Sequence, residues 1–174
     1  IYDDGNKIGE FSLQQSFAQV DFGLNIGTVA QLRAGLQQSW DAATLETGDS
    51  AQLSPQPTIH ESDVILQATW DTRDVVGLPS QGSLLTARYK SSGSWINGEQ
   101  SYQQAEGLIL KVVPFRGDAL YVFAAGGSEL SGTLPPYDLF AIGGINSFPG
   151  LERQQLRGTS YWITGTSYNR KLGD

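Results

Sequence analysis

Ala18-Gln-Val-Asp-Phe-Gly-Leu-Asn-Ile26 places an apolar side chain at every even position, while Gln19, Asp21, Gly23 and Asn25 hold the odd ones. Successive side chains of a strand point to opposite faces, so a strict period of two makes one greasy face and one wet face. After a tight turn at Gly27-Thr28 the same parity resumes at Ala30, Leu32, Ala34, Leu36, Trp40 and Ala42, set against Gln31, Arg33, Gly35 and Gln37. The two segments read as a hairpin. Both alternate for longer than the ~5 to 6 residues of an ordinary strand. That length favours strands that cross a membrane, which need ~9 to 11 residues.

The pattern continues along the chain. Residues 45 to 60 are polar and contain proline, which predicts a long loop with His60 as a solvated loop residue. Val64, Leu66, Ala68 and Trp70 form a third apolar face opposite Asp63, Gln67, Thr69 and Asp71. The segment from Thr72 to Gly82 reads as a turn by its glycines and proline. Leu85, Ala87 and Tyr89 then alternate with Thr86, Arg88 and Lys90. A loop near 91–100 precedes a strand from about Tyr102 to Val113 with less regular parity. Pro114-Phe-Arg-Gly-Asp118 closes a short hairpin into Ala119 to Gly127, and Ser160 to Leu172 forms the last segment. The expectation is an all-β, antiparallel meander.

Outer-membrane barrels carry short turns on the periplasmic side, longer loops outside and aromatic girdles at both interfaces. With Gly27-Thr28 on the periplasmic side, 45–60, 91–100 and 128–158 all fall outside. Thr72 to Gly82 is then a long periplasmic turn. A soluble antiparallel sandwich with one buried face per strand, or a small ligand-binding barrel, shares the alternation and stays open as an alternative. A passive porin is a third reading.

Composition narrows the function classes. Charged residues make up 17% and the formal charge is -7, with eleven Lys and Arg scattered along the chain, which argues against nucleic acid as a partner. No cysteine is present, so no disulfide framework or thiolate metal site is expected. A chain that opens at Ile1 and has no methionine reads as a processed or excised segment. One histidine does not build a three-histidine metal site, and Gly127-Ser128-Glu129-Leu130 lacks the closing glycine of a nucleophile elbow. Gly143-Gly144 followed by Gly150 lacks the spacing of a dinucleotide loop. Asp3-Asp4-Gly5, and Asp71 with Asp74, are read as turn chemistry. No catalysis, cofactor or metal is expected of this segment.

One stretch breaks the string of strands: Leu134-Pro-Pro-Tyr-Asp-Leu-Phe-Ala-Ile-Gly-Gly-Ile-Asn-Ser-Phe-Pro-Gly-Leu151. Loops that long are functional or disordered as a rule, and the aromatic content argues against disorder.

Set in order, three stretches resemble the bacterial surface antigen superfamily, the outer-membrane barrels that include the outer-membrane protein assembly factor and two-partner secretion transporters. Trp70-Asp-Thr-Arg-Asp74 with Leu78-Pro-Ser-Gln-Gly82 looks like the family's strand-end aspartate motif and following turn, carried by Asp71, Asp74, Pro79 and Gly82. Leu134 to Gly144 looks like the entry to the family's long sixth extracellular loop, with Gly143 and Gly144 at its end. Phe148, Pro149, Gly150 and Leu151 sit where the family carries Val-Arg-Gly-Phe or Tyr, and Leu156-Arg-Gly158 leads into the next strand. Within the superfamily, Tyr137-Asp-Leu-Phe140, Gly143-Gly144 and Tyr168 to Leu172 are similar to the C-terminal barrel of patatin-like phospholipases of the autotransporter type.

The resemblance implies a partial barrel domain over residues 1–174 with a long loop at 128–158, supplying about 7 to 8 strands of a transmembrane barrel of about 16. It implies a bacterial outer-membrane location and a role as translocation pore or membrane anchor. The partners it implies are membrane lipid, the remaining barrel strands or a second copy to pair the open edges, and an N-terminal passenger domain. In the family the loop arginine projects into the lumen and pairs with acidic groups on the wall. Pro149 stands at that position here, so Arg153 and Arg157 become the candidates for a lumen contact, or Phe148 and Leu151 anchor the loop by packing.

Overall fold

The computed structural model describes residues 2–3, 6–7, 9–48, 59–96, 98–144, 151 and 155–170. Among the described residues nine strands carry the fold: β1 Gly9–Ile26, β2 Ala30–Gly48, β3 Ile59–Asp71, β4 Gly82–Ser92, β5 Tyr102–Phe115, β6 Asp118–Gly132, β7 Phe140–Ile142, β8 Leu156–Gly158 and β9 Ser160–Asn169. A two-residue ribbon, Tyr2–Asp3 with Asn6–Lys7, precedes them. Seven strands make one antiparallel meander in the order β1-β2-β3-β4-β5-β6-β9, and β7 pairs with β8 as a separate small ribbon. The expected antiparallel meander is therefore the observed one.

Register fixes the two faces. Phe22 pairs with Ala34, Ala34 with Leu66, Leu66 with Tyr89 and Tyr89 with Ala105, so one face stays apolar across five strands. On the other face Gly23, Arg33, Gln67, Arg88 and Glu106 follow one another in the same manner. A slip of one residue in any pair would exchange the faces, which is why the long unbroken register matters.

Burial is inverted relative to a water-soluble sheet. Phe22 is 79% exposed and Trp162 80%, while Glu61, Asp63, Lys90 and Gln104 are buried. At about 25 cal/mol per Å² of apolar surface, a face of Phe22, Leu24, Leu36, Leu66, Trp70 and Ile109 is costly in water and stabilising in hydrocarbon. No second layer of described residues covers it.

Turn chemistry closes the hairpins. Arg116 and Gly117 both take positive φ, 53° and 89°. Two such residues make the mirror-image turn whose twist matches a two-residue hairpin. The irregular parity of β5 has a physical origin: Leu108 and Leu110 lie on the polar face beside Ala125 and Phe123, so this strand is apolar on both sides near β6.

Several sequence-based boundaries change, three of them by more than two residues or at a named residue. β2 runs to Gly48 and β3 begins at Ile59, so the ends of the expected 45–60 loop are strand. His60 is a strand residue opposite Trp40, not a loop residue. β6 runs to Gly132, past Gly127, and the long loop carries the β7–β8 ribbon. Backbone pairing extends where alternation fades, because ladder bonds do not require apolar side chains.

Candidate functional site

The polar face is crossed by the segment that leaves β6. Glu129 Oε2 accepts from the Leu134 backbone N–H at 3.2 Å, and Leu134 and Pro135 are buried. The Asp138 N–H then donates to Pro135 O at 3.0 Å, closing a turn that aims Tyr137 and Asp138 back at the sheet.

Four strand residues receive them. Glu61 and Asp63 are two apart on β3, hence on one face, with Lys90 of β4 and Tyr102 of β5 beside them. Lys90 Nζ lies 2.9 Å from Asp138 Oδ2, 3.2 Å from Asp63 Oδ2 and 3.6 Å from Glu61 Oε2. Tyr137 OH donates to Glu61 Oε1 at 3.0 Å and Tyr102 OH to Glu61 Oε2 at 3.3 Å; the Tyr102 hydroxyl also bonds Asp138. The ammonium stands 5.3 Å from the Tyr102 ring centroid, within cation–π range. Lys90 is 6% exposed and Asp63 fully buried, so these charges are screened little by water. Three carboxylates surround one ammonium, and the two phenol hydroxyls serve Glu61 and Asp138. Breaking such a network leaves buried charge uncompensated, which is where its energetic weight lies.

A second anchor is apolar. The Phe140 ring lies over Gly127 and against Tyr161, centroids 5.2 Å apart. A Cβ on Gly127 would sit 2.7 Å from Phe140 and 2.9 Å from Tyr161, so the ring occupies a notch that only glycine leaves open. Gly143 and Gly144 follow with φ of 134° and 93°, and Gly144 N–H donates to Leu151 O at 3.0 Å, extending the β7–β8 ribbon. Arg157, on β8 and exposed, donates to Pro136 O at 3.4 Å within the same loop. Phe148, Pro149, Gly150 and Arg153 lie outside the described residues.

The other motif residues gather at the opposite end of the sheet. Asp71 ends β3 and holds Arg73 through Nε at 2.9 Å and Nη2 at 2.7 Å. Asp74 caps the turn, accepting from the N–H groups of Ser80 and Val75, each at 3.0 Å. The Ser80 hydroxyl, then these backbone donors, hold the Asp74 carboxyl below the usual carboxylate range. Gly82 takes φ +114°, and a Cβ there would meet Arg73 Cα at 2.6 Å. Pro79 is buried, and its carbonyl accepts from Tyr121 OH at 2.5 Å, which ties the turn to the polar face of β6.

Sequence reasoning thus marked the loop and this turn, and passed over Glu61, Asp63, Lys90, Tyr102 and Asp138 as anchors. The available signal was the pair of acids two apart at a strand end, which calls for a cation on a register neighbour. The family model described as the Omp85 superfamily domain matches residues 2–170. Among curated proteins none matches the chain significantly.

Proposed function

The chain belongs to the Omp85 superfamily, and from that membership we propose that its sheet is the wall of an outer-membrane barrel serving as a translocation pore or membrane anchor. The observation that carries the reading is the inverted burial: Phe22, Leu66 and Trp162 are exposed on one face, while Glu61, Asp63 and Lys90 are buried on the other. In a bilayer the first face meets lipid tails and the second a wet lumen. A closed barrel also removes the edge problem, since no lipid-exposed backbone group is left unpaired.

The loop is the moving part of this reading. Residues 134–142 lie against the lumen wall through the Lys90–Asp138 ion pair and the Phe140 notch. On the family pattern the loop supplies an arginine to acids on the wall. Here Glu61 and Asp63 on the wall meet a cation of the wall itself, Lys90, while the loop contributes the carboxylate of Asp138. A loop without the arginine is in this way still anchored.

Planar-bilayer conductance of the full protein, compared with a deletion of residues 134–158, tests the role of the loop. An obstructing loop predicts low, flickering conductance that becomes large and steady in the deletion. Equal conductance in the two makes the chain a passive porin with an ornamental loop.

The finer assignment, to the barrel of a patatin-like phospholipase of the autotransporter type, is supported by Tyr137-Asp-Leu-Phe140. These residues carry the likeness, and Tyr137, Asp138 and Phe140 make both anchors. Cell-surface phospholipase activity that requires the barrel in cis tests it; a full-length protein with no lipase domain ahead of the barrel contradicts it.

A further inference from the structure

Among the described strand residues, Lys111 is the cation on the apolar face. Lys111 of β5 is exposed, and register places it between Ser83 and Val122, with Thr166 beyond. Its ammonium donates to Ser83 Oγ at 3.0 Å. No described carboxylate forms an ion pair with it. The nearest outward carboxylate along the hairpin, Asp118, lies at the tip and accepts from Tyr168 OH.

Depth makes this placement informative. One row toward the loops, Trp70, Leu85, Ile109 and Ala124 are consecutive register neighbours and form a continuous apolar row. Toward the tip lie Val113, Phe115 and Tyr168, with the two rings in edge contact at 6.4 Å and the Arg116 guanidinium 5.2 Å from the Phe115 centroid. A lysine on the lipid face of a barrel is strongly disfavoured at the bilayer midplane and tolerated near the interface. Lys111 sits four residues before Phe115 on the same face of β5, on the girdle side of the apolar band, where a long cationic side chain extends toward phospholipid phosphate. A shallow groove of about 570 Å³ runs from it along Ile109, Val122 and Ala124 to the Thr164 and Thr166 hydroxyls.

We propose that Lys111 and Ser83 bind the phosphate of an anionic phospholipid from the surrounding bilayer, with one acyl chain lying in the Ile109–Ala124 groove. Charge complementarity selects the headgroup, and the groove is continuous with the lipid-facing band. The proposal rests on the membrane reading above and adds a specific lipid site to it.

The test reconstitutes the full protein in phosphatidylcholine vesicles and replaces part of the lipid with brominated phosphatidylcholine or brominated phosphatidylglycerol, reading tryptophan quenching. Trp70 shares the Leu85–Ile109 row and reports on the site. The expected result is an apparent preference for phosphatidylglycerol of about fivefold, the weight of one basic residue at an anionic surface. Lys111→Gln reduces it to near unity, and Arg33→Gln on the polar face leaves it unchanged. A wild-type protein with no preference, or a Lys111→Gln variant that retains it, overturns the lipid site while quenching by brominated phosphatidylcholine upholds the membrane reading. Absence of quenching by either lipid overturns both.

Discussion

Asp138 and Lys90, forty-eight residues apart in sequence, meet with Oδ2 and Nζ 2.9 Å apart, tying the segment after β6 to a strand two places away in the sheet. The pair sits where Glu61 and Asp63 already crowd the wall, so Lys90 compensates the wall as well as the loop.

That double duty makes the two partners unequal under mutation. Asp138→Asn removes one of three acids and leaves Lys90 with Asp63 and Glu61, so unfolding stability changes by about 1 kcal/mol or less. Lys90→Met leaves three carboxylates together and costs about 3–5 kcal/mol. Urea unfolding in vesicles, with trypsin cleavage at Arg157 as the reporter of loop release, checks the order. Equal losses, or a larger loss for Asp138→Asn, contradict it.

The Phe140 notch predicts a rescue. Gly127→Ala introduces a Cβ 2.7 Å from Phe140 and 2.9 Å from Tyr161 and costs about 1–3 kcal/mol by overpacking. Combined with Phe140→Ala, the same substitution costs less, because the nearer of the two rings it strikes is gone and only Tyr161 must give. A double-mutant cycle with no coupling shows that the ring does not occupy the notch.

The far turn carries a pH dependence of defined sign. The Asp74 carboxyl is lowered by the Ser80 hydroxyl and then by backbone N–H donors. A group depressed on folding stabilises above its unfolded value, about 3.9, and the contribution is lost as pH falls through the lower folded value. The turn therefore holds at neutral pH and loosens in acid below about pH 4. A carboxyl carbon-13 titration of Asp74 is expected to have its midpoint below the ordinary aspartate value, and a midpoint at or above it contradicts the cap.

What the sequence made legible was the alternation. Val20 to Ile26 against Ala30 to Leu36 marked the first hairpin, and Pro114 to Asp118 marked a short one, because side-chain parity and turn composition are local properties. The ends of β2 and β3 were hidden, since Trp40–His60 and Asp41–Ile59 pair through the backbone without an apolar pattern. The loop was visible by its prolines and glycines, but its anchors were not. Lys90 reads as one more polar-face residue until the register sets it beside Asp63, and Asp138 reads only as part of the Tyr137–Phe140 motif until the chain folds back.

The central claim is that one face of this sheet meets lipid and the other a wet lumen. The sequence contains no cysteine, so single cysteines can be placed without background at successive positions of β3 in the full protein: Val64, Ile65, Leu66, Gln67, Ala68 and Thr69. The measurement is their reaction rate with a water-soluble maleimide in vesicles. The account predicts a period of two, with Gln67 and Thr69 reacting fast, Val64, Leu66 and Ala68 slow, and Ile65 slow as well because it is buried on the face it shares with its cross-strand neighbour Lys90. Leu66 and Ala68 labelling as fast as Gln67 and Thr69 contradicts it.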